Sequence, residues 1–176
     1  MPHLTISQLR QLIRTLNYVV SNHAAEELED DNLSIINLEN IILAGQITER
    51  QRDAQSRESK VVVSGDTLTV GARKPLSKSA SPGNSSSSLS MSSENRCAHC
   101  GSPAVHLKHV TRSFGKGAAL LVIEAIPMWS CPSCGESYFS AQTMHEIERI
   151  KALRKSVAIS RAIPVAAFQG STVQPF

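Results

Sequence analysis

The chain has 176 residues, enough for one ordinary domain or two small ones. Aromatic residues make up only 4% of it, which argues against a nucleic-acid platform built on stacked rings. Its net charge of +3 is uneven: residues 1–70 carry six Lys/Arg against ten Asp/Glu, whereas residues 96–176 carry nine against four. An acidic start and a basic end predict two different partners, or binding of one part to the other.

Nothing near the N-terminus resembles an export signal, because no basic stretch is followed there by an apolar run. No apolar stretch approaches the length needed to cross a bilayer. We therefore expect a cytoplasmic protein that does not bind membranes.

Apolar residues at helical spacing predict a first helix over residues 5–16. Tyr18–Val20 is a short strand candidate, and Ser21 or Asn22 can cap a second helix that runs to Glu29. The sequence therefore predicts a helix, a strand and a helix in close succession.

A third helix is predicted over residues 35–44, ending at Gly45 in a left-handed conformation. Residues 46–50 and 60–64 read as the two strands of a hairpin, joined by a polar stretch. We expect these elements to form a small α+β unit within residues 1–70.

This order of elements, together with three short motifs, resembles a family of small bacterial toxin-like domains of unknown function. The motifs are Ser21-x-His23, Ile42-Leu43-x-Gly45 and Gly65-Asp66-Thr67-Leu68. The family is thought to resemble RelE-type ribonuclease toxins, and the resemblance covers residues 5–70. It implies His23 as the candidate for any chemistry; the alternative is a histidine with a purely structural role at the start of a helix.

Residues 71–95 depart from that family, whose members continue with further strands that complete a sheet. The stretch is rich in Ser, Pro, Gly and Lys without periodicity, which predicts a disordered linker. A second hypothesis is a shift of reading frame, because TCN serine codons read one base earlier encode Val, Ile, Leu or Phe. Under that shift residues 81–91 can encode a strand like the family's last one, and Met91 would begin a separate protein. The coding DNA decides between the two.

The four cysteines form two Cys-x-x-Cys pairs, Cys97/Cys100 and Cys131/Cys134, with thirty residues between the pairs and a glycine after each. Thiolates on two such turns complete a tetrahedral cage for one structural Zn²⁺ ion. The glycines allow the chain to reverse and its N–H groups to point at the sulfurs. The alternative, two disulfides, requires an oxidising compartment.

Residues 104–112 and 118–126, between the cysteine pairs, predict an antiparallel hairpin with Val105, Leu107 and His109 on one face. The hairpin and the two cysteine turns together predict a zinc ribbon.

Three histidines of this region are rival ligands by residue type: His99, His106 and His109. Four thiolates already complete a zinc site, so we assign no metal role to them. The same closure argues against catalysis by the metal, because a catalytic zinc keeps one position open for water.

Residues 141–157 predict a helix with Ser140 as its N-cap. Its apolar stripe consists of Met144, Ile147, Ile150 and Leu153. Basic residues near its end are Lys151, Arg154 and Lys155. They indicate either contact with nucleic acid or a helix end whose charges complement the helix dipole.

The two pairs, the hairpin between them and the exit Cys134-Gly-Glu-x-Tyr-Phe139 resemble the YgiT-type zinc finger of MqsA-family antitoxins, over residues 96–155. The resemblance implies that the four cysteines are the zinc ligands. In that family the finger binds the toxin, and a helix-turn-helix domain after it binds the operator. Too few residues follow the helix here for a helix-turn-helix, so we expect toxin binding, while direct operator binding would need another surface.

The tail, residues 158–176, has extended character and an internal Pro164. Such a segment adds as an edge strand to a partner's sheet or frays as a terminus, and both interpretations stay open.

These elements predict an α+β chain in four parts: a toxin-like unit (1–70), a linker (71–95), a zinc finger (96–157) and the tail (158–176). The first functional hypothesis is an antitoxin-like module that binds and neutralises a toxin-like protein or its own N-terminal unit, without enzymatic activity. The alternative is a zinc-ribbon transcriptional regulator, whose binding to nucleic acid would depend strongly on salt. A ribonuclease centred on His23 is the third hypothesis, and it lacks a complete sheet and a catalytic partner.

Overall fold

The computed structural model describes residues 5–52, 59–65, 96–97 and 99–164. The helices are α1 (Ile6–Arg14), α2 (Asn22–Asp30), α3 (Ile35–Ala44), α4 (Ala141–Ala152) and α5 (Arg154–Val157). The strands are β1 (Val19–Ser21), β2 (Gln46–Arg52), β3 (Ser59–Ser64), β4 (His106–Phe114), β5 (Leu121–Ser130) and β6 (Ser137–Ser140). Helices and antiparallel sheets together confirm the predicted α+β class. Among these residues no helix is both long and apolar enough to span a bilayer.

One antiparallel sheet contains strands from both sides of the predicted linker. Its order is β1-β6-β5-β4, and Val20 of β1 lies opposite Phe139 of β6. We call the described residues from 5 to 65 the N-terminal segment and those from 96 to 164 the C-terminal segment. β2 and β3 pair separately as the predicted antiparallel hairpin. The N-terminal segment therefore contributes an edge strand to the sheet of the C-terminal segment.

The two segments also share one hydrophobic core, in which Ile35 and Phe139 are both 0% exposed. Its buried members are Val20, Ala25, Ile35, Phe114, Ile123, Ile126, Met128, Phe139, Met144 and Ile147. Burial of apolar area contributes about 25 cal/mol per Å², so this core holds the segments together. The four-part division of the chain, with boundaries near residues 70 and 96, stays a prediction.

Serine or threonine precedes each of the four longer helices, where its side-chain oxygen accepts a hydrogen bond from an N–H of the first turn. These caps are Thr5, Ser21, Ser34 and Ser140. Thr5 and Gln8 form a reciprocal capping box. The caps predicted at Ser21 and Ser140 are confirmed.

Gly45 ends α3, but the left-handed conformation predicted for it is wrong, because its φ is −77° and its ψ is −178°. The lack of space for a side chain explains instead why glycine occupies this position. A Cβ at this position would lie 2.3 Å from the Ile41 carbonyl oxygen and 2.4 Å from that of Ser64. The end of the β2–β3 hairpin thus lies directly against the end of α3.

The hairpin predicted between the cysteine pairs lies later in the chain than predicted, at β4 and β5. Gly115 and Gly117 have φ values of +73° and +56° and make the turn between the strands. Leu107 and His109 are exposed, whereas Phe114 is the buried side chain of β4. The alternation of apolar and polar residues did not show that the buried side chain of this strand lies at its end and not at its start.

The single helix predicted over residues 141–157 is interrupted at Leu153, between α4 and α5. Met144 and Ile147 are buried as predicted, but Leu153 is 45% exposed. The apolar stripe therefore packs from Met144 to Ile150, which is partly buried against the core, and Leu153 lies beyond it.

The predicted linker at residues 71–95 lies outside the described residues, as does the tail from residue 165. Residues 158–164 form neither helix nor strand. Arg161 donates to both carboxylate oxygens of Glu124 on β5, at 3.1 Å. This part of the tail therefore lies beside β5 without joining the sheet.

Candidate metal centre and the contact between segments

Each cysteine pair lies on a turn closed by the glycine that follows it. The N–H of Gly101 donates to the Cys97 carbonyl, and the N–H of Gly135 to the Cys131 carbonyl, both at 2.9 Å. Both glycines are left-handed, with φ of +71° and +77°. The prediction that they reverse the chain is confirmed. Their own N–H groups bond to carbonyl oxygens, whereas other backbone N–H groups of the two turns donate to the sulfurs, as predicted. The His99 N–H, for example, lies 3.4 Å from Cys97 Sγ.

The two turns bring all four sulfurs together, within 4.8 Å of one another. Cys97 Sγ lies 3.7 Å from Cys134 Sγ, and Cys100 Sγ lies 3.6 Å from Cys131 Sγ. A tetrahedron of sulfurs around zinc, with Zn–S bonds of about 2.3 Å, has edges of about 3.8 Å. The four cysteines are free thiols, and their arrangement can hold a metal ion.

No second group of three or more His, Cys, Asp or Glu donors lies close enough to hold a metal in the described part of the chain. His106 and His109 are exposed on β4. The cage therefore consists of cysteines, and the histidines of the region do not join its donor set.

The sulfurs differ in proton affinity. Burial raises the pKa of the Cys97 thiol and raises that of Cys134 to about 12. Burial acts in the same direction at Cys131, but the N–H groups of Cys134 and Ser133 donate to its sulfur, and its pKa falls to about 6. Without metal, the cage at neutral pH thus holds protonated thiols beside a thiolate.

We expect metal binding to weaken steeply as the pH falls, because a proton and the ion compete for each sulfur. With raised pKa values, Cys97 and Cys134 are protonated at pH 6–8 and must both lose their protons on binding. At least two protons are therefore released, and the apparent association constant falls at least about 100-fold for each unit by which the pH is lowered. Competition of the chain with a chelating indicator for Zn²⁺, measured between pH 6 and 8, checks this. A slope below about tenfold per unit would contradict it.

The cage touches the N-terminal segment through a small apolar cluster. Cys97 and Cys131 are buried there with Val105 and Tyr138, and Val19 of β1 packs against them with Trp129. Cys131 and Cys134 occupy the connection between β5 and β6. The second cysteine pair therefore lies immediately before β6, the strand that pairs with β1.

Acidic side chains of the N-terminal segment meet basic side chains of the C-terminal segment at three points. Arg112 Nη2 lies 3.4 Å from Glu26 Oε1, and Lys151 Nζ lies 2.9 Å from Glu29 Oε2. The third contact joins His145 to Glu39, and it is described next. The acidic first part and the basic last part of the sequence thus contact each other through oppositely charged side chains, at Arg112–Glu26 and Lys151–Glu29. The uneven charge of the sequence had left this possibility open.

Glu39, on α3, is buried, and it is the one charged residue that is buried among those the structure describes. The Tyr18 hydroxyl donates to its Oε1. His145 Nε2 on α4 lies 2.8 Å from the same oxygen. The pKa of Tyr18 is raised, first by burial and then by its hydrogen bond to Glu39. Sequence reasoning missed this cluster, although a carboxylate one turn after the apolar Ile35 was a visible signal.

His23, the candidate catalytic residue, lies in the first turn of α2 with its side chain 68% exposed. Its Nε2 is 3.3 Å from Glu27 Oε1, one turn further along the helix. An exposed histidine beside a carboxylate of its own helix fits a structural role, and its catalytic role stays a prediction.

The family described as Domain of unknown function (DUF4258) matches residues 20–72. This stretch lies largely within residues 5–70, where the sequence motifs predicted a family of domains of unknown function. No curated protein and no solved structure matches the chain.

Proposed function

We propose that the chain joins a toxin-like domain to a zinc-binding, antitoxin-like module of a type II toxin–antitoxin system. The module acts by binding and covering the toxin-like domain, and it catalyses no reaction. The proposal rests above all on the pairing of β1 with β6. Its partner is the chain's own N-terminal segment or an intact copy of that domain.

The strand that receives β1 contains the motif by which the C-terminal segment resembles YgiT-type fingers. Tyr138 lies opposite Ser21, and Phe139 lies opposite Val20. Addition of a strand to a sheet edge is a common way for one protein to bind another, because main-chain hydrogen bonds supply affinity. This pairing supports the proposal that the stretch after the second cysteine pair is the surface that binds the toxin-like segment.

Charge favours protein binding over the alternative, a zinc-ribbon regulator that binds nucleic acid. Arg112 and Lys151 are directed to carboxylates of the N-terminal segment. Arg149 pairs with Glu146 of its own helix at 2.6 Å. These basic groups are neutralised within the chain, which weakens any attraction for phosphates.

Zinc is the ion that we propose for the four thiols, in a structural role. Four thiolates leave no open coordination position for water, which is typical of a structural site. The ion would hold the β5–β6 connection and thereby the edge that binds β1. A reducing compartment such as the cytoplasm keeps the thiols available for metal.

A chain with a protease site inserted between residues 80 and 81, in the predicted linker, tests the proposal. After folding with Zn²⁺ and cutting, we expect the two parts to co-elute in size-exclusion chromatography. Chelation of the metal with EDTA should separate them, because the β6 edge loses its support.

Separation of the parts while zinc is bound would contradict the proposal. Salt-dependent binding of the uncut chain to DNA or RNA would favour the regulator instead, since release of counterions makes such binding fall steeply with salt. The uncut chain with the same insertion serves as the control for correct folding and metal content.

A further inference from the structure

One carboxylate oxygen joins three residues across the contact between the segments. Oxygen Oε1 of Glu39 accepts from the Tyr18 hydroxyl within the N-terminal segment. It also accepts from His145 Nε2, in a contact that joins positions 106 residues apart. The Glu39 side chain is only 12% exposed, whereas that of His145 is 35% exposed at the rim.

A buried carboxylate contributes more to discrimination than to affinity. Its desolvation offsets most of what its hydrogen bonds contribute, so replacing the whole cluster by apolar residues is often neutral or stabilising. Removing one partner alone is costly, because the other polar group stays buried without its hydrogen bond. Such a cluster penalises a mismatched partner far more than it strengthens a matched one.

The other two charged contacts between the segments are less suited to this role. Glu26 is 51% exposed in its contact with Arg112. Glu29 is 33% exposed, and its partner Lys151 also contacts Glu148. Arg112 and Lys151 themselves are only 20% and 26% exposed, but water reaches both of their carboxylate partners, which screens the charges and lowers the cost of losing a partner. Burial of the carboxylate therefore distinguishes Glu39.

We propose that Tyr18, Glu39 and His145 determine which partner the C-terminal segment accepts. The partner is a domain of the toxin-like kind that presents a carboxylate on α3 beside a tyrosine hydroxyl. A domain with an apolar side chain at the Glu39 position would leave His145 Nε2 without its acceptor. This inference rests on the proposed function, because it concerns the binding of one segment by the other.

Exchange of partners between two cut chains tests the inference. One chain is the wild type with the protease site described above. The other also has Tyr18→Phe, Glu39→Leu and His145→Leu, which make the whole cluster apolar. Both are cut, mixed in urea and refolded together with Zn²⁺, and native mass spectrometry counts the four possible pairings.

We expect the product of the amounts of the two matched pairs to exceed the product of the amounts of the two mixed pairs by about 10- to 100-fold. This range corresponds to the coupling free energies usual for residues in contact. A ratio near one would overturn the inference while leaving the proposed function intact. If the wild-type parts fail to associate in any pairing, the proposed function itself fails.

Two further mixtures complete the test. Glu26→Gln with Arg112→Gln is the matched control, and we expect its ratio to stay below about fivefold, as for exposed ion pairs. Glu39→Gln with His145→Gln keeps polar groups of similar size, and it replaces the apolar chain if that chain does not assemble. A ratio no larger than that of the control would then overturn the inference.

Discussion

Replacing Cys131 with serine is expected to abolish tight metal binding and to unfold the sheet that joins the two segments. Cys131 is 1% exposed and begins the β5–β6 connection. Structural zinc contributes about 10–16 kcal/mol to small zinc-dependent folds, which is comparable to the whole stability of a domain. Loss of one thiolate should therefore remove most of the support of β6.

Two measurements check the effect of Cys131→Ser. Elemental analysis of the purified chain should show the bound metal lost, and hydrogen exchange at the amides of β1 should become fast. Trp129, the single tryptophan, packs against the cage cluster and reports its loss by fluorescence.

Ser133→Ala is the matched control, since it changes a side chain of the same turn without removing a sulfur. The Ser133 hydroxyl bonds that of Ser102 at the surface, so its removal should cost about 1 kcal/mol or less. A Cys131→Ser chain with unchanged metal content and unchanged unfolding would show that the cage is not a structural site.

Phe139→Ala is expected to lower the free energy of unfolding by about 3–5 kcal/mol, the usual cost of removing a buried phenylalanine ring. Phe139 is 0% exposed, and its ring lies in the core that both segments share. Arg112 lies over the ring, 5.5 Å from its centre, so the substitution also removes a cation–π contact. Urea unfolding in the presence of Zn²⁺ measures the loss.

Ser137→Ala, in the same strand, is the control for Phe139→Ala. Its hydroxyl donates to that of Ser130 at 3.1 Å, and we expect its loss to cost no more than about 1.5 kcal/mol. Equal effects of the two substitutions would mean that the shared core does not hold the segments together.

Helix positions were predictable because their signals are local. Periodic apolar residues predicted α3 over residues 35–44, and these are its bounds in the structure. Ser21 and Ser140 were recognisable as caps because a cap acts on the N–H groups of the next turn. The left-handed conformation predicted for Gly45 was wrong. The glycine is needed there because Ser64, a residue outside the helix, approaches too closely for a side chain.

The candidate site was predictable in part for the same reason. The spacing of each cysteine pair determines a local turn, and the two glycines mark where it closes. For the cluster of Tyr18, Glu39 and His145 the one local signal is the carboxylate of Glu39 one turn after Ile35, and it does not indicate which partners that carboxylate has. These side chains come together only when particular helices lie against each other, and tertiary packing decides which helices do so.

Local chemistry in the chain is enough to indicate its longer helices, the approximate places of the two hairpins in its described part and the donors of the candidate metal cage, since periodicity, caps and ligand spacing act over a few residues. The joining of the two segments belongs to the tertiary structure. β1 has three residues, too few to specify its own partner, and its pairing with β6 depends on an open sheet edge and on the core beneath it. The carboxylate of Glu39 acquires its second partner only when α4 packs against α3, because no local signal links residues so far apart in the chain.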